Sequence, residues 1–385
     1  SFAAMASTPK LGSSELHTDC HHRGRLLLDR FRQPPPPSLA VPVITAEAAA
    51  ACAETAQAIC ARETPVVVRG CTDVFRTTRW SSAEQLVEHY GDVPFELAAD
   101  VTLSLRDYVR YAAEAEADYP YYLVERRFEG ERVALLQDYA PPALFDDDLL
   151  SQVPGSKRAR YWLVGGERSG TALHADPLCS SAWNACACGR KLWAFLPPDA
   201  DLAAAGLRTR ADGGERRPAV WFADELEAAS SLPGYQLCLQ EAGDVLYIPS
   251  GWYHAVLNLE FSAAISQNFL APRALPAIWP RLSAEYRAFA LALRDLLAVS
   301  ASPLCPALAA SLPPPSPPLG PPPHDAPTVD LALCWSEVPT AVPTVAPPAA
   351  APAAAEPAAT EPAAAEPAVI ESVLDLTTAA AEPAA

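Results

Sequence analysis

The chain has 385 residues, half of them hydrophobic, and a formal net charge of −18. That length suffices for one large β-rich domain or two smaller ones. The charge excludes easy association with polyanions such as nucleic acid or anionic membrane and favours a basic protein or peptide partner. No apolar run reaches the ~18 residues of a membrane span without meeting a charge or a proline.

The ten cysteines are scattered without the spacing of a disulfide framework, which predicts reduced thiols in an intracellular setting. Cys186 and Cys188 could be mistaken for half of a zinc site. No second pair follows at zinc-finger spacing, so they read as small strand-packing residues. The first residues lack the basic stretch and apolar segment of a secretory signal.

In chain order, residues 1–40 are polar and contain the run Pro34 to Pro37, which predicts an extended or disordered segment; His17, His21 and His22 read as solvated. Thr45 is an available N-cap for an alanine-rich helix through Arg62. A short buried strand follows from Pro65 to Gly70. Ser81 to Glu84 has capping-box spacing and predicts a helix carrying Leu86, Val87 and Tyr90 to a stop at Gly91, with His89 on its surface. Ser104 and Asp107 repeat that logic for a helix through about Glu116.

Strands are expected at Tyr121 to Glu125 and Arg160 to Val164, separated by a link whose acidic triplet, Asp146 to Asp148, reads as a solvated charge run. Residues 199–218 are polar and contain Gly213 and Gly214, which predicts a loop. Val245 to Ile248 and Phe261 to Phe269 read as strands. Over 273–300 the apolar residues fall at helical spacing, a helix that Pro280 would interrupt, and its stripe suits packing on the body or a homodimer contact. Residues 301–385 are rich in Pro and Ala, repeat Glu-Pro-Ala at Glu356, Glu361 and Glu366, and predict a disordered acidic tail.

One stretch carries chemistry. In Thr171 to Leu196, His174 and Asp176 occupy alternate positions, which on a strand project to one face and can grip one ion. Of the seven histidines, His254 has the best surroundings for a third ligand, because Gly243 to Leu259 reads as strand, tight turn, strand. Two imidazoles and a carboxylate form the facial triad of non-haem iron(II), which leaves positions for a cosubstrate and dioxygen. Lys191 stands inside an apolar strand, where an ammonium needs an anionic partner unless the strand is an edge that lets it reach water.

Two blocks, Arg168 to Pro197 and Glu241 to Phe269, resemble the Jumonji-C oxygenases, and within them the branch of bifunctional arginine demethylases and lysyl-hydroxylases. The resemblance implies a mainly β fold with flanking helices, a double-stranded β-helix over 136–272 with an α+β decoration over 41–135. It implies iron(II) on His174, Asp176 and His254, with 2-oxoglutarate as cosubstrate and dioxygen as oxidant. Lys191 then pairs with the far carboxylate, Asn184, Ser266 and Tyr122 surround the same cosubstrate, and Thr171 faces the pocket. The branch has threonine where this chain has Ser266, which keeps the hydroxyl. The implied reaction is hydroxylation of a lysyl side chain, or demethylation of N-methyl-arginine, in a basic protein. The branch is associated with nuclear RNA-processing proteins, although no Lys/Arg-rich run here acts as a nuclear signal. Two readings compete: a zinc hydrolase using the same triad, and a cupin-like module that binds peptides without turnover.

Overall fold

The computed structural model describes Leu28, Phe31 and residues 34–50, 64–98, 101–116, 119–152, 159–300 and 304–314. These lie in the first of two compact units, residues 1–342; residues 343–385, the second, fall outside them. Two sheets face one another as a double-stranded β-helix. The larger runs β1 (Val43–Thr45), β2 (Val66–Arg69), β11 (Val245–Ile248), β8 (Ser181–Cys188), β13 (Ser262–Phe269), β6 (Arg160–Gly165), β5 (Leu123–Glu125). The smaller runs β10 (Gln236–Glu241), β9 (Arg190–Leu196), β12 (Tyr253–Asn258), β7 (Gly170–His174). A separate hairpin is made by β3 (Pro94–Ala98) and β4 (Val101–Ser104).

Strand alternation sets what each face does. The outer face of the large sheet, including Trp162, Trp183, Tyr247, Ile265 and Phe269, packs under α2 (Ala83–Tyr90) and α3 (Leu105–Glu114). The outer face of the small sheet, with Leu192, Ala194, Leu196 and Leu257, is covered by α4 (Pro218–Asp224) and α5 (Leu226–Ser230) through Trp221, Phe222 and Ala229. Each such fully buried large side chain contributes ~2 kcal/mol. Between the sheets, Trp193, Phe195 and Val256 from one side meet Ala182, Leu246 and Ile248 from the other. The polar inner positions lie beyond this apolar plug.

The helix starts follow local chemistry. Thr45 Oγ1 accepts from Ala48 N at 3.1 Å above the short α1 (Ala46–Ala50); the rest of the helix expected through Arg62 lies outside the described residues. For α2 the cap is Ser82, whose Oγ accepts from Gln85 N at 3.3 Å, one residue later than the capping-box spacing from Ser81 suggests. Gly91 closes α2 with right-handed backbone, φ −53; a Cβ there would sit 2.4 Å from Val87 O, so the glycine supplies space rather than handedness. Ser104 Oγ caps α3 by accepting from Asp107 N at 3.1 Å, and His89 is exposed.

Several expectations are corrected. Leu28 and Phe31 in the segment 1–40 are buried, Phe31 edge-on against Phe222, because two apolar residues one helical turn apart can cover α4; His17, His21 and His22 lie outside the described residues. Asp148 is buried rather than solvated: its Oδ1 accepts from Leu150 N and Leu270 N, tying the link to the end of β13. The C-terminal helix does not break at Pro280. It runs through that residue as α6 (Leu275–Glu285) and breaks at Tyr286, φ −128 and ψ 49, before α7 (Arg287–Val299). The region expected as a tail opens with α8 (Leu304–Ser311), and Cys305, Ala309 and Leu312 bury against Leu293 and Leu297; residues 315–385 fall outside the described residues. No helix among the described residues is long and apolar enough to cross a membrane.

Gly170, at φ +149, starts β7, and a Cβ there would lie 2.1 Å from Val256 O. Gly170→Ala should therefore destabilise the fold by ~2 kcal/mol or more, by pushing β7 off β12. Urea unfolding checks this, and an unchanged midpoint contradicts the register.

Candidate metal centre

Pairing of β7 with β12 sets His254 directly opposite His174. Their rings stand 4.1 Å apart between centroids, with His254 buried and His174 open to the pocket on one side. Asp176 follows two residues beyond, where the chain leaves β7 in extended conformation before Pro177. The ligating atoms of His174, Asp176 and His254 all lie within 4.8 Å of one another, the sole such group among the described residues. Cys186 and Cys188 join no such group. Both are buried free thiols, the first pushed up to about 12 and the second to about 11 by burial, as packing residues are.

The ring orientations are fixed from behind. His174 Nδ1 donates to Ala172 O at 2.9 Å and His254 Nδ1 donates to Trp252 O at 3.0 Å, so each ring turns Nε2 toward the common point. Burial, then the neighbouring His254 and Arg210, holds His174 well below the ordinary imidazole value. A neutral imidazole is the form that binds a metal. The donor set, two nitrogens and one carboxylate, fits a divalent transition metal with open positions.

Lys191 occupies β9 between β10 and β12, so it is not an edge lysine reaching water; it is 0% exposed. Its ammonium donates to Asn258 Oδ1 at 2.7 Å and to Tyr122 Oη at 3.2 Å. Both acceptors are neutral, and among the described residues no carboxylate pairs with it. Asn258, opposite Lys191 in the ladder, is locked in turn: its Nδ2 donates to Ser169 Oγ at 2.8 Å, its N–H to Ser169 O, and its carbonyl accepts from Arg168 N. Gly165 makes room, since a Cβ there would fall 2.1 Å from Ser169 Oγ and 2.6 Å from Tyr122 Cδ2. A cation buried among neutral oxygens is costly unless an anion joins it.

The facing sheet presents a polar row. Asn184, Ser266 and Tyr161 stand opposite one another across β8, β13 and β6. Ser266 Oγ donates to Trp183 O at 3.0 Å, and Asn184 Oδ1 accepts from Gln240 Nε2 at 3.2 Å. Thr171 stands opposite Val256, whose side chain faces inward, because a bulge shifts the register between His254 and Val256. All eight residues singled out from the sequence thus border the space between the sheets. Asn258, Gln240, Tyr161 and Arg210 were not anticipated; for the first two, the pairing of β9 with its neighbours is the signal, and it emerges only once the strands are aligned.

A family model described as JmjC domain, hydroxylase, matches residues 161–269. The chain carries a JmjC domain. The matched residues hold the triad, Lys191, Asn184 and Ser266; Tyr122 precedes them. Among curated relatives, a lysine-specific demethylase of Arabidopsis thaliana is 33% identical over 54% of this chain and 23% of its own length. A bifunctional arginine demethylase and lysyl-hydroxylase of Caenorhabditis elegans is 31% identical over 56% of this chain and 58% of its own. A 2-oxoglutarate and iron-dependent oxygenase of Danio rerio is 30% identical over 38% and 36%. The chain therefore spans from about a quarter to three-fifths of the length of these relatives.

The unpaired burial of Lys191 inside the JmjC domain has a measurable cost. Lys191→Met should leave the metal-free protein no less stable, within ~1 kcal/mol, because removing an uncompensated buried charge offsets the two lost hydrogen bonds. A loss of ~3 kcal/mol or more in urea unfolding would assign Lys191 to holding the fold.

Proposed function

We propose that this chain is an iron(II)- and 2-oxoglutarate-dependent dioxygenase that hydroxylates a side chain of a protein substrate. The carrying observation is Lys191, an enclosed ammonium with no carboxylate partner among the described residues, facing the same space as the triad. His174, Asp176 and His254 would hold the iron, and Lys191 with Tyr122 would take the far carboxylate of 2-oxoglutarate. Asn184 and Ser266 line the opposite wall for the same cosubstrate, and Thr171 borders the substrate side.

When bound, iron, 2-oxoglutarate and dioxygen supply the oxidising power: one oxygen atom enters a substrate C–H as hydroxyl, the other enters succinate, and carbon dioxide leaves. The chain's own part is positional. The backbone carbonyls of Ala172 and Trp252 accept from Nδ1 of the two imidazoles and keep both rings aimed through Nε2. The plug of Trp193, Phe195 and Val256 excludes water from behind His254. No protein base is needed for this reaction.

The relatives' names include a lysine-specific demethylase and a bifunctional arginine demethylase and lysyl-hydroxylase, and the substrate we propose from that range is a lysyl side chain of a basic protein or peptide. N-methyl-arginine demethylation is the same C–H hydroxylation followed by loss of formaldehyde. A zinc hydrolase or a non-catalytic peptide-binding module would use the triad or the barrel but has no place for a buried unpaired Lys191.

Incubation of lysyl peptides with the protein, iron(II), 2-oxoglutarate and oxygen should give a +16 product with matching succinate, read by mass spectrometry. His174→Ala should lower the rate by ~100-fold or more, as loss of a reaction-centre group does. Peptide turnover persisting in His174→Ala, or hydrolysis without oxygen uptake, contradicts the proposal.

A further inference from the structure

Near Asp176 and Tyr161, the Arg210 guanidinium has no hydrogen-bond or ion-pair partner among the described residues. The loop 197–217 contains a tight turn in which Gly214 N donates to Thr209 O at 2.8 Å and the Thr209 hydroxyl pairs with Asp212. A Cβ on Gly214 would fall 2.2 Å from Arg208 O, so only glycine lets this turn close. The turn lays Arg210 on the outer edge of β7, where Arg210 N donates to Leu173 O at 2.8 Å, one residue before His174.

The Arg210 side chain is half-buried, and burial lowers its affinity for the proton; Tyr119, Arg216, Asp176 and Tyr161 are the charged or titratable groups within reach. Among the described residues its guanidinium makes no hydrogen bond and no ion pair. Asp176 is committed to the triad. Of the acids in the same loop, Asp212 pairs with Thr209, and Glu215 is held by Arg217 through Nε at 2.9 Å and Nη2 at 2.8 Å and by two backbone N–H groups. Further cations strengthen the field: Arg216 acts on Arg210, and Arg126 acts on Tyr161. This region is thus locally positive on a chain whose net charge is −18.

A half-buried guanidinium offers a planar fork of donors that suits a carboxylate. We propose that Arg210 is a specificity-determining residue that pairs with an acidic side chain of the substrate, close in sequence to the residue being hydroxylated. This rests on the reading of the chain as a protein-modifying oxygenase and narrows its substrate. A uniformly basic segment would be repelled by Arg210 and Arg216; a segment carrying an Asp or Glu near the target residue would be drawn in. The cosubstrate does not need Arg210, because Lys191 serves its far carboxylate beside Tyr122 and Asn258. A nucleic-acid phosphate is disfavoured by the overall negative charge.

The test is binding without turnover. Fluorescent lysyl peptides carrying Asp at one, two or three residues to either side of the lysine, and the same peptides with Asn, are titrated against the protein holding manganese(II) and 2-oxoglutarate. At least one Asp peptide should bind about tenfold tighter than its Asn counterpart. Arg210→Gln should erase that difference, and Arg210→Lys should restore part of it. Calorimetric titration with 2-oxoglutarate should give the same affinity for wild type and Arg210→Gln. The inference is overturned if Asp and Asn peptides bind alike, if the preference survives in Arg210→Gln, or if Arg210→Gln weakens 2-oxoglutarate instead. The oxygenase reading fails separately, through absent oxygen-dependent succinate formation, so the two failures are distinguishable.

Discussion

An ammonium enclosed between two sheets, held among the described residues by the neutral Asn258 and Tyr122, is the constraint around which this domain is arranged. Lys191 is 0% exposed, and a buried charge paired only with neutral groups costs several kcal/mol. The surrounding structure tolerates it through a rigid cradle. Asn258 is clamped by Ser169 and by the backbone of Arg168, while Arg168 itself, at φ +70, sends its guanidinium to the carbonyls of Ala115 and Glu116 at the end of α3. The decoration outside the large sheet and the pocket inside it are thereby joined through one strained residue.

The double-stranded β-helix divides labour by strand parity. Positions facing outward, such as Trp183 and Leu257, are apolar and covered by helices; inward positions change character along each strand, from the apolar Trp193 and Phe195 to the polar Lys191 on the same face of β9. That gradient gives an apolar, packed end beside His254 and a polar end at Lys191 and Asn258. Stability resides in the outer layers and the plug. The chemistry proposed for this domain falls on the few inward positions where the fold accepts unfavourable groups, as functional sites commonly do.

The triad was legible because its signal is local: His174 and Asp176 alternate on one strand, and His254 sits at a strand start after a Pro/Gly turn. Lys191 announced itself by being a charge inside an apolar run. Helix caps at Thr45 and Ser104 could also be read, since capping is settled within four residues. What escaped depends on distant contacts. Asn258 looks like any strand asparagine until β9 is set beside β12. Arg210 lies in a polar loop whose turn gains meaning only where it meets β7. The helices over Pro218–Asp224 and Leu226–Ser230 were hidden by their shortness, although Pro218 at a helix start before Trp221 and Phe222 was a usable cue. Buried Leu28, Phe31 and Leu312 were masked by the polar or proline-rich composition around them.

The account's central claim is that Lys191 exists to meet the far carboxylate of a dicarboxylic cosubstrate. Calorimetric binding of 2-oxoglutarate and of 2-oxopentanoate, the same skeleton without that carboxylate, to manganese-loaded wild type and Lys191→Met forms a double cycle that isolates this pair. The account predicts that wild type favours 2-oxoglutarate by about tenfold to a hundredfold, as a charge-assisted hydrogen bond allows, and that the preference vanishes in Lys191→Met. Equal binding of both acids by wild type, or an undiminished preference in the variant, would contradict it.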